Sequence, residues 1–428
     1  MKKSLNLTFV LVFVLCCGLT FISCGKSKQD NGTPAKKKNS SSSESSSSSY
    51  DFPDFSYKEI NGGNEYEISA SPYLLVNHMK DSSKDIVISV VIPSTYNGKP
   101  VTAIGANAFE AANMITKVTI PDSVTVIDKS AFSGCYALNS VILGSATTKI
   151  GDHAFHGCKS LNSINAPKTL TYLGDYAFSG CSNLQSAIAI PDAVTNSLKG
   201  TFYGCSKLTS VIIGTGVPKI DVEAFAGSGI ISIVIPGNVK SIEDQAFRGC
   251  NELTGVTIED NGVTNIEGGI NGGAFRDCSK LKMIVFGNRL EYIGRQAFQS
   301  CTGLESITFP ASLITIDKDA FSGCSALVNI KFENCAASIG ESVFENCSKL
   351  KDVDLGDHLV RISAYAFNNC TRIAEITLPA SLQYLGGPSM PPFYGCNRPI
   401  VKVKKLSSPP QSWAIGWNYD CGTVYWGQ

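Results

Sequence analysis

The chain has 428 residues in which 36 basic and 36 acidic side chains cancel. With Lys36-Lys37-Lys38 as its one run of three cations, it lacks the basic stripe of a nucleic-acid binder. That length would ordinarily divide into two or three domains, but a repeating chain grows by adding coils and needs only one folded body.

Residues 1–23 read as an export signal. Lys2 and Lys3 precede an apolar run from Leu5 to Ile22, which Ser23 and Cys24 close. The run is short for a membrane span of about 20 residues. Ser23-Cys24 resembles a bacterial lipobox of the relaxed, spirochaete type, with Phe21 in place of the usual Leu. The resemblance implies a lipid on Cys24, which becomes the first residue of the mature protein. Residues 24–50 then form a tether of Lys, Pro and a long Ser tract, too polar to bury a core. Such a disordered segment holds a body roughly 25 to 30 Å from the bilayer.

Residues 51–100 read as an N-terminal cap. Phe55 to Ile60 and Glu65 to Ser69 alternate apolar with polar around Asn61-Gly62-Gly63-Asn64, a hairpin pattern. Val90 to Pro93 follows as the first strand of the array.

From 101 to 396 one phrase recurs, in its fullest form Ile-Pro-x-x-Val-x-x-Ile-x-x-x-Ala-Phe-x-Gly-Cys-x-x-Leu at Ile120 to Leu138. Its Phe stands at 109, 132, 155, 178, 202, 225, 247, 275, 298, 321, 344, 367 and 393, mostly 23 residues apart, which marks a solenoid of stacked coils. Alternation at Leu138, Val141 and Leu143 predicts a short strand in each coil, stacked into a parallel sheet. Pairs such as Val124 and Ile127 predict the return side, and Ala-Phe turns inward at a bend. Two residues after Phe, Gly134, Gly157, Gly180, Gly204, Gly249, Gly323 and Gly395, with Asp277, Asn346 and Asn369, predict a left-handed backbone. Ala111 and Ser300 do not fit that pattern.

The phrase resembles the BspA-like leucine-rich repeats, also called TpLRR. The likeness runs from about Val90 to Cys396, with one residue added after Phe178, one missing after Phe225, and five inserted at Gly268 to Gly273. It implies an α/β-type leucine-rich-repeat solenoid, mainly β, with a parallel sheet of short strands, about 23 residues per coil and a curved right-handed stack between terminal caps. It also implies an exported bacterial protein, often a lipoprotein or surface protein that attaches to host matrix proteins, host cells or other bacteria.

Of sixteen cysteines, Cys135, Cys158, Cys181, Cys205, Cys250, Cys278, Cys301, Cys324, Cys347, Cys370 and Cys396 stand three residues after a repeat Phe. Stacked in register about 4.8 Å apart with parallel Cβ vectors, they are poorly placed for disulfides. They are expected to form a buried ladder of protonated thiols. Cys335, in a turn, and Cys421, in the tail, fall outside the ladder and are the two to test for reactivity. No Cys-x-x-Cys follows Cys24, His153 and His156 read as solvated side chains at a bend, and no nucleophile elbow or phosphate loop is present. The reading is therefore of a protein that is no enzyme, with no metal and no cofactor. The Gly268 to Gly273 insert reads as a flexible loop.

The outward side of the strands is the expected partner face. Its column contains Ile142, Ala189, Ile212, Val234, Thr257, Val285, Thr308, Lys331 and Asp354, one per coil, with Thr119, Asn165 and Thr377 completing it. Ala189, Ile212 and Val234 suggest an apolar patch on consecutive coils, and Asp352, Asp354 and Glu375 an acidic later section. Residues 397–428 hold all three tryptophans and read as an aromatic cap, with sugar stacking as the alternative use. These features together read as a lipid-anchored surface protein, monomeric and held in the outer membrane by its anchor, that contacts a host or bacterial protein. The alternatives are a periplasm-facing scaffold and a carbohydrate binder.

Overall fold

In the computed structural model the described residues are 55–69, 88–270, 272–387 and 390–428, and residues 48–428 belong to one compact unit. The expected signal, the lipid site Cys24 and the tether lie outside the described residues.

Every coil has three sides, each set by one part of the repeated phrase. On the first, alternation buries every second residue: in Ser306–Phe309, Ile307 and Phe309 are buried while Ser306 and Thr308 face out. The 23-residue period becomes register directly, since Ser306–Phe309 pairs in parallel with Asn329–Phe332, position for position. The second side carries two-residue strands such as Val126–Ile127, Lys149–Ile150 and Tyr172–Leu173, again parallel and one period apart. The third side is the bend through Ala-Phe. Among the described residues there is no α-helix, and Asn61–Gly63 is a single 3-10 turn.

Inside the bend the thirteen phenylalanines form one continuous stack from Phe109 to Phe393. Successive ring centroids are 4.9–5.8 Å apart and their planes lie within 16° of parallel. Offset stacking at this spacing contributes about 0.5–1.5 kcal/mol per pair beyond the burial of the rings.

The bend is itself a ladder between coils. The N–H groups of Asn107, Phe109 and Ala111 donate to the carbonyls of Lys129, Ala131 and Ser133 in the next coil, while the residues between them close local turns. Aiming alternate amides along the stack requires left-handed backbone two residues after Phe. That conformation is present at Gly134 and Asn346, and also at Ala111 (φ 55°) and Ser300 (φ 61°), which the sequence pattern had set apart. A second left-handed position lies two residues before Phe and is held by Asn107, Ser130, His153, Tyr176, Glu223, Gln245 and Gln296. Each costs a non-glycine residue roughly 1–2 kcal/mol, comparable with what the inter-coil hydrogen bond returns.

Both ends use the same sides. Ser56–Ile60 and Glu65–Ser69 form the antiparallel hairpin, and Glu65–Ser69 continues in parallel onto Lys99–Ile104. Tyr57 stacks on Tyr96 at 3.6 Å over this end. At the other end the segment 397–428 is more than an aromatic cap: Ile400–Val403 pairs with Glu375–Leu378 in coil register, and Val424–Trp426 adds a further parallel strand.

Two irregularities coincide with the altered coil lengths. Between Tyr172–Leu173 and Ser241–Ile242 the short-strand side has no strand of its own. There the Asn196 amide takes a strand's place, donating to the Leu173 carbonyl (2.6 Å) and accepting the Leu173 N–H (3.1 Å). The glycine insert, expected as a flexible loop, is instead an antiparallel hairpin of Gly268–Gly269 and Gly272–Gly273, with exposed Ile270 at its tip.

The strand face as candidate interaction site

The buried side of each coil fixes which side chains the strand face presents. All eleven repeat cysteines are buried and unpaired. Each donates its thiol to the carbonyl of the Phe in the preceding coil, at 3.0–3.4 Å. This explains the choice of residue, because a small apolar body fits the core while its donor satisfies a buried carbonyl. The first bend, with no Phe before it in the repeat, has Ala112 at this position, and after Phe225 it is Ser228, 3.4 Å from the Cys250 sulfur. Burial pushes the Cys205 and Cys324 thiols up to about 12. Cys335 and Cys421, the two singled out for a reactivity test, are buried as well, and burial raises both thiols, Cys421 to about 12. Thiols so protonated are weak nucleophiles.

Other candidate chemistry resolves into structure. Half-buried His153 stacks on Tyr176 at 5.3 Å, and burial lowers its pKa. Among the described residues no group of three or more His, Cys, Asp or Glu is placed to hold a metal, and no helix is long and apolar enough to cross a membrane. Trp413 and Trp417 are buried edge to face, 5.1 Å apart, and the Trp413 indole N–H donates to the Leu382 carbonyl. Their burial fits the expected cap and not the alternative use of Trp413 and Trp417 as a sugar platform, which needs an open ring face.

What remains open is the strand face. Of the column read from sequence, Ile142 (46% exposed), Ala189, Ile212 (65%), Val234 (53%), Val285 (44%), Thr308, Lys331 and Asp354 are exposed, and Thr257 is half-buried. Ile142 stands apart from the rest, because on the next coil Asn165 turns back to accept the Leu143 N–H. From Ile212 to Val285 exposed apolar side chains stand on three of four consecutive coils, with Val234, half-buried Thr257 and Val285 aligned by the parallel register. Two residues that the column did not include enlarge this patch. Met283 (54%) occupies the neighbouring outward column, where Ser recurs, and Ile231 (49%) precedes its strand. An apolar residue in a Ser position was the available signal for Met283.

Beyond Thr308 the face becomes charged, but it is not simply acidic. Lys402 pairs with Glu375 at 2.5 Å and Lys404 with Asp357 at 2.5 Å, while Asp354 accepts the Gly356 N–H. Lys331 aligns with Asp354 across the ladder. An open cleft of about 470 Å³ lies here between Lys331, Glu333, Asp354, Asp357 and Lys404. The face thus has an uncharged middle and a bipolar end.

The profile of the BspA type leucine rich repeat region matches in six copies, at residues 102–229, 185–270 and 268–398, more than two thirds of the chain. No curated protein matches it. Among solved structures, a leucine-rich repeat protein from Bacteroides ovatus ATCC 8483 aligns with a TM-score of 0.58 at 26% identity, covering 89% of this chain and 100% of that one. A leucine rich cell surface protein from Faecalibacterium prausnitzii A2-165 gives 0.48 at 22%, covering 89% and 94%. The T. pallidum leucine rich repeat protein gives 0.34 at 24%, covering 60% and 90%. Thirteen stacked phenylalanines, the thiol ladder and the matched repeats agree: the chain belongs to the BspA-type leucine-rich repeat family.

Proposed function

We propose that this protein is displayed at the bacterial cell surface by a lipid on Cys24 and binds a partner protein through its strand face, in adhesion to a host matrix protein, a host cell or another bacterium. Membership of a family of protein-interaction repeats supports the general role. The observation that carries the reading is the exposed apolar run of Ile212, Ile231, Val234, Met283 and Val285. Large side chains left open on neighbouring coils of a monomer mark a contact surface, and the fold does not use them, since their buried neighbours already fill the core.

A photo-crosslinker placed at Val234 on intact cells tests this. Capture of one extracellular protein, lost with Ile212→Asp and Val234→Asp together, is expected. Capture unchanged by those substitutions rejects the face. Protease added to unlysed cells should remove the protein, and survival of the whole population would instead favour a periplasm-facing scaffold. Labelled palmitate should enter the wild type and not Cys24→Ser; equal labelling of both would exclude the anchor.

A further inference from the structure

We propose that the array is two arms hinged at one joint, between the coil that ends at Phe178 and the coil that ends at Phe202, so that the angle between the two halves of the strand face is adjustable. The reason lies in how the coils are tied together, and it holds whatever the partner.

Neighbouring coils can be joined on the strand face, on the short-strand side and at the bend. Among the described residues from Ile88–Val91 onward, every other pair of neighbouring coils shares a strand pair or a bridge on at least one of the two sheet sides. At this junction both are missing. The strand-face sheet that ends at Ser163–Ile164 does not continue into Ile188–Ala189, which pairs only with Val211–Ile212. On the short side the Asn196 side chain alone reaches Leu173, in place of a strand. What remains is the bend, where the N–H groups of Tyr176, Phe178 and Gly180 donate to the carbonyls of Lys199, Thr201 and Tyr203, and two corner bonds from Asn183 and Gln185 to the carbonyls of Lys159 and Asn162.

Packing is loosest at the same place. Phe178 and Phe202 are 5.8 Å apart, the widest step in the ring stack. An apolar void of about 10 Å³ lies between Ile164, Leu173 and Phe178 on one coil and Ile188 and Ile190 on the next. Thr201, fully buried, is the one polar residue that precedes a repeat Phe, and its hydroxyl has no hydrogen-bond partner. The stability of a solenoid is a sum of coil-to-coil terms, so opening concentrates at the weakest of them. In the outward column the joint falls between Asn165 and Ala189. Bending there widens or narrows the strand face while the interior of each arm stays packed, and a protein touching both arms would hold the joint at one angle.

Amide exchange in the full-length protein tests the joint. Phe178 should exchange about tenfold or more faster than Phe132 on one arm and Phe298 on the other, although all three amides donate to the next coil in the same way. Asn196→Ala should speed Phe178 further and leave Phe132 and Phe298 as they are. A rate at Phe178 no higher than at the other two, or equal acceleration of all three by Asn196→Ala, would overturn the joint. Spin labels read the motion itself, each pair in the Cys24→Ser background. Val91→Cys with Ile212→Cys crosses the joint by way of Thr119, Ile142, Asn165 and Ala189, while Ile212→Cys with Lys331→Cys spans as many coils within one arm, by way of Val234, Thr257, Val285 and Thr308. The first pair should give the broader distance distribution, and equal widths would overturn the hinge.

Discussion

The bend and the strand face are built from the same coils, yet they differ in what repetition means. At the bend, identity repeats: Phe275, Phe298 and Phe321 occupy equivalent places, and each is fully buried. On the strand face only geometry repeats, so that Val285, Thr308, Lys331 and Asp354 share one column with no common chemistry. A stack needs identical partners inside, because each ring and thiol completes the coil before it, whereas water imposes no such demand outside. Variation on the face is therefore available for recognition without endangering the fold.

The strongest way to break this contrast is to remove one ring. Phe298→Ala should lower stability by about 3–5 kcal/mol, read from the urea midpoint, since it empties a place between two stacked rings. A loss no larger than that of a surface substitution would show that the rings do not hold the coils together.

Next in size is the thiol. Cys301→Ala deprives the Phe275 carbonyl of its inter-coil donor and should cost about 1–3 kcal/mol. Cys301→Ser keeps a donor at the same position and should cost less in the same measurement. The opposite order would mean that the cysteine acts by volume alone.

Alkaline pH sharpens the same point across the whole ladder. Burial raises Cys205 and Cys324 from 9.0 to about 12, so an unfolded thiol ionises first and the folded state holds the proton longer. Stability is then fully present below about pH 9 and falls as pH rises toward about 12. A urea midpoint flat over that window would contradict the buried thiols, as would reaction of the folded protein with a thiol reagent at Cys335 or Cys421. The smallest effect belongs to the face: Thr308→Ala should stay within about 0.5 kcal/mol of the wild type.

The legible part of the molecule was the part where residue identity repeats. Phe and Cys at fixed spacing disclosed the stack, and Leu138, Val141 and Leu143 disclosed the strand. The left-handed position before most of the repeat Phe was invisible, because His153, Tyr176 and Glu223 share no local preference and the conformation is imposed by bonds to the next coil. For Cys335 and Cys421, outside the ladder, the sequence left burial open, and coil packing covers both. On the face, Ile212 and Val234 could be placed from period alone. Met283, an apolar residue where Ser recurs, was open to the same reasoning, but the extent of the patch was not, since it depends on the neighbours that the parallel register gives each strand.

The central claim is that the outward columns of successive coils form one continuous face over a shared interior. Spin labels at exposed positions test it most directly, since the native thiols of the coils are buried; Ile212→Cys is paired with Thr308→Cys or with Asp354→Cys, each with Cys24→Ser. Four and six coil steps at about 4.8 Å per step predict separations of about 19 and 29 Å, narrow in distribution and growing with the number of coils. Broad distances, or distances unrelated to the number of intervening coils, would contradict the stack and remove the face that the proposed binding requires.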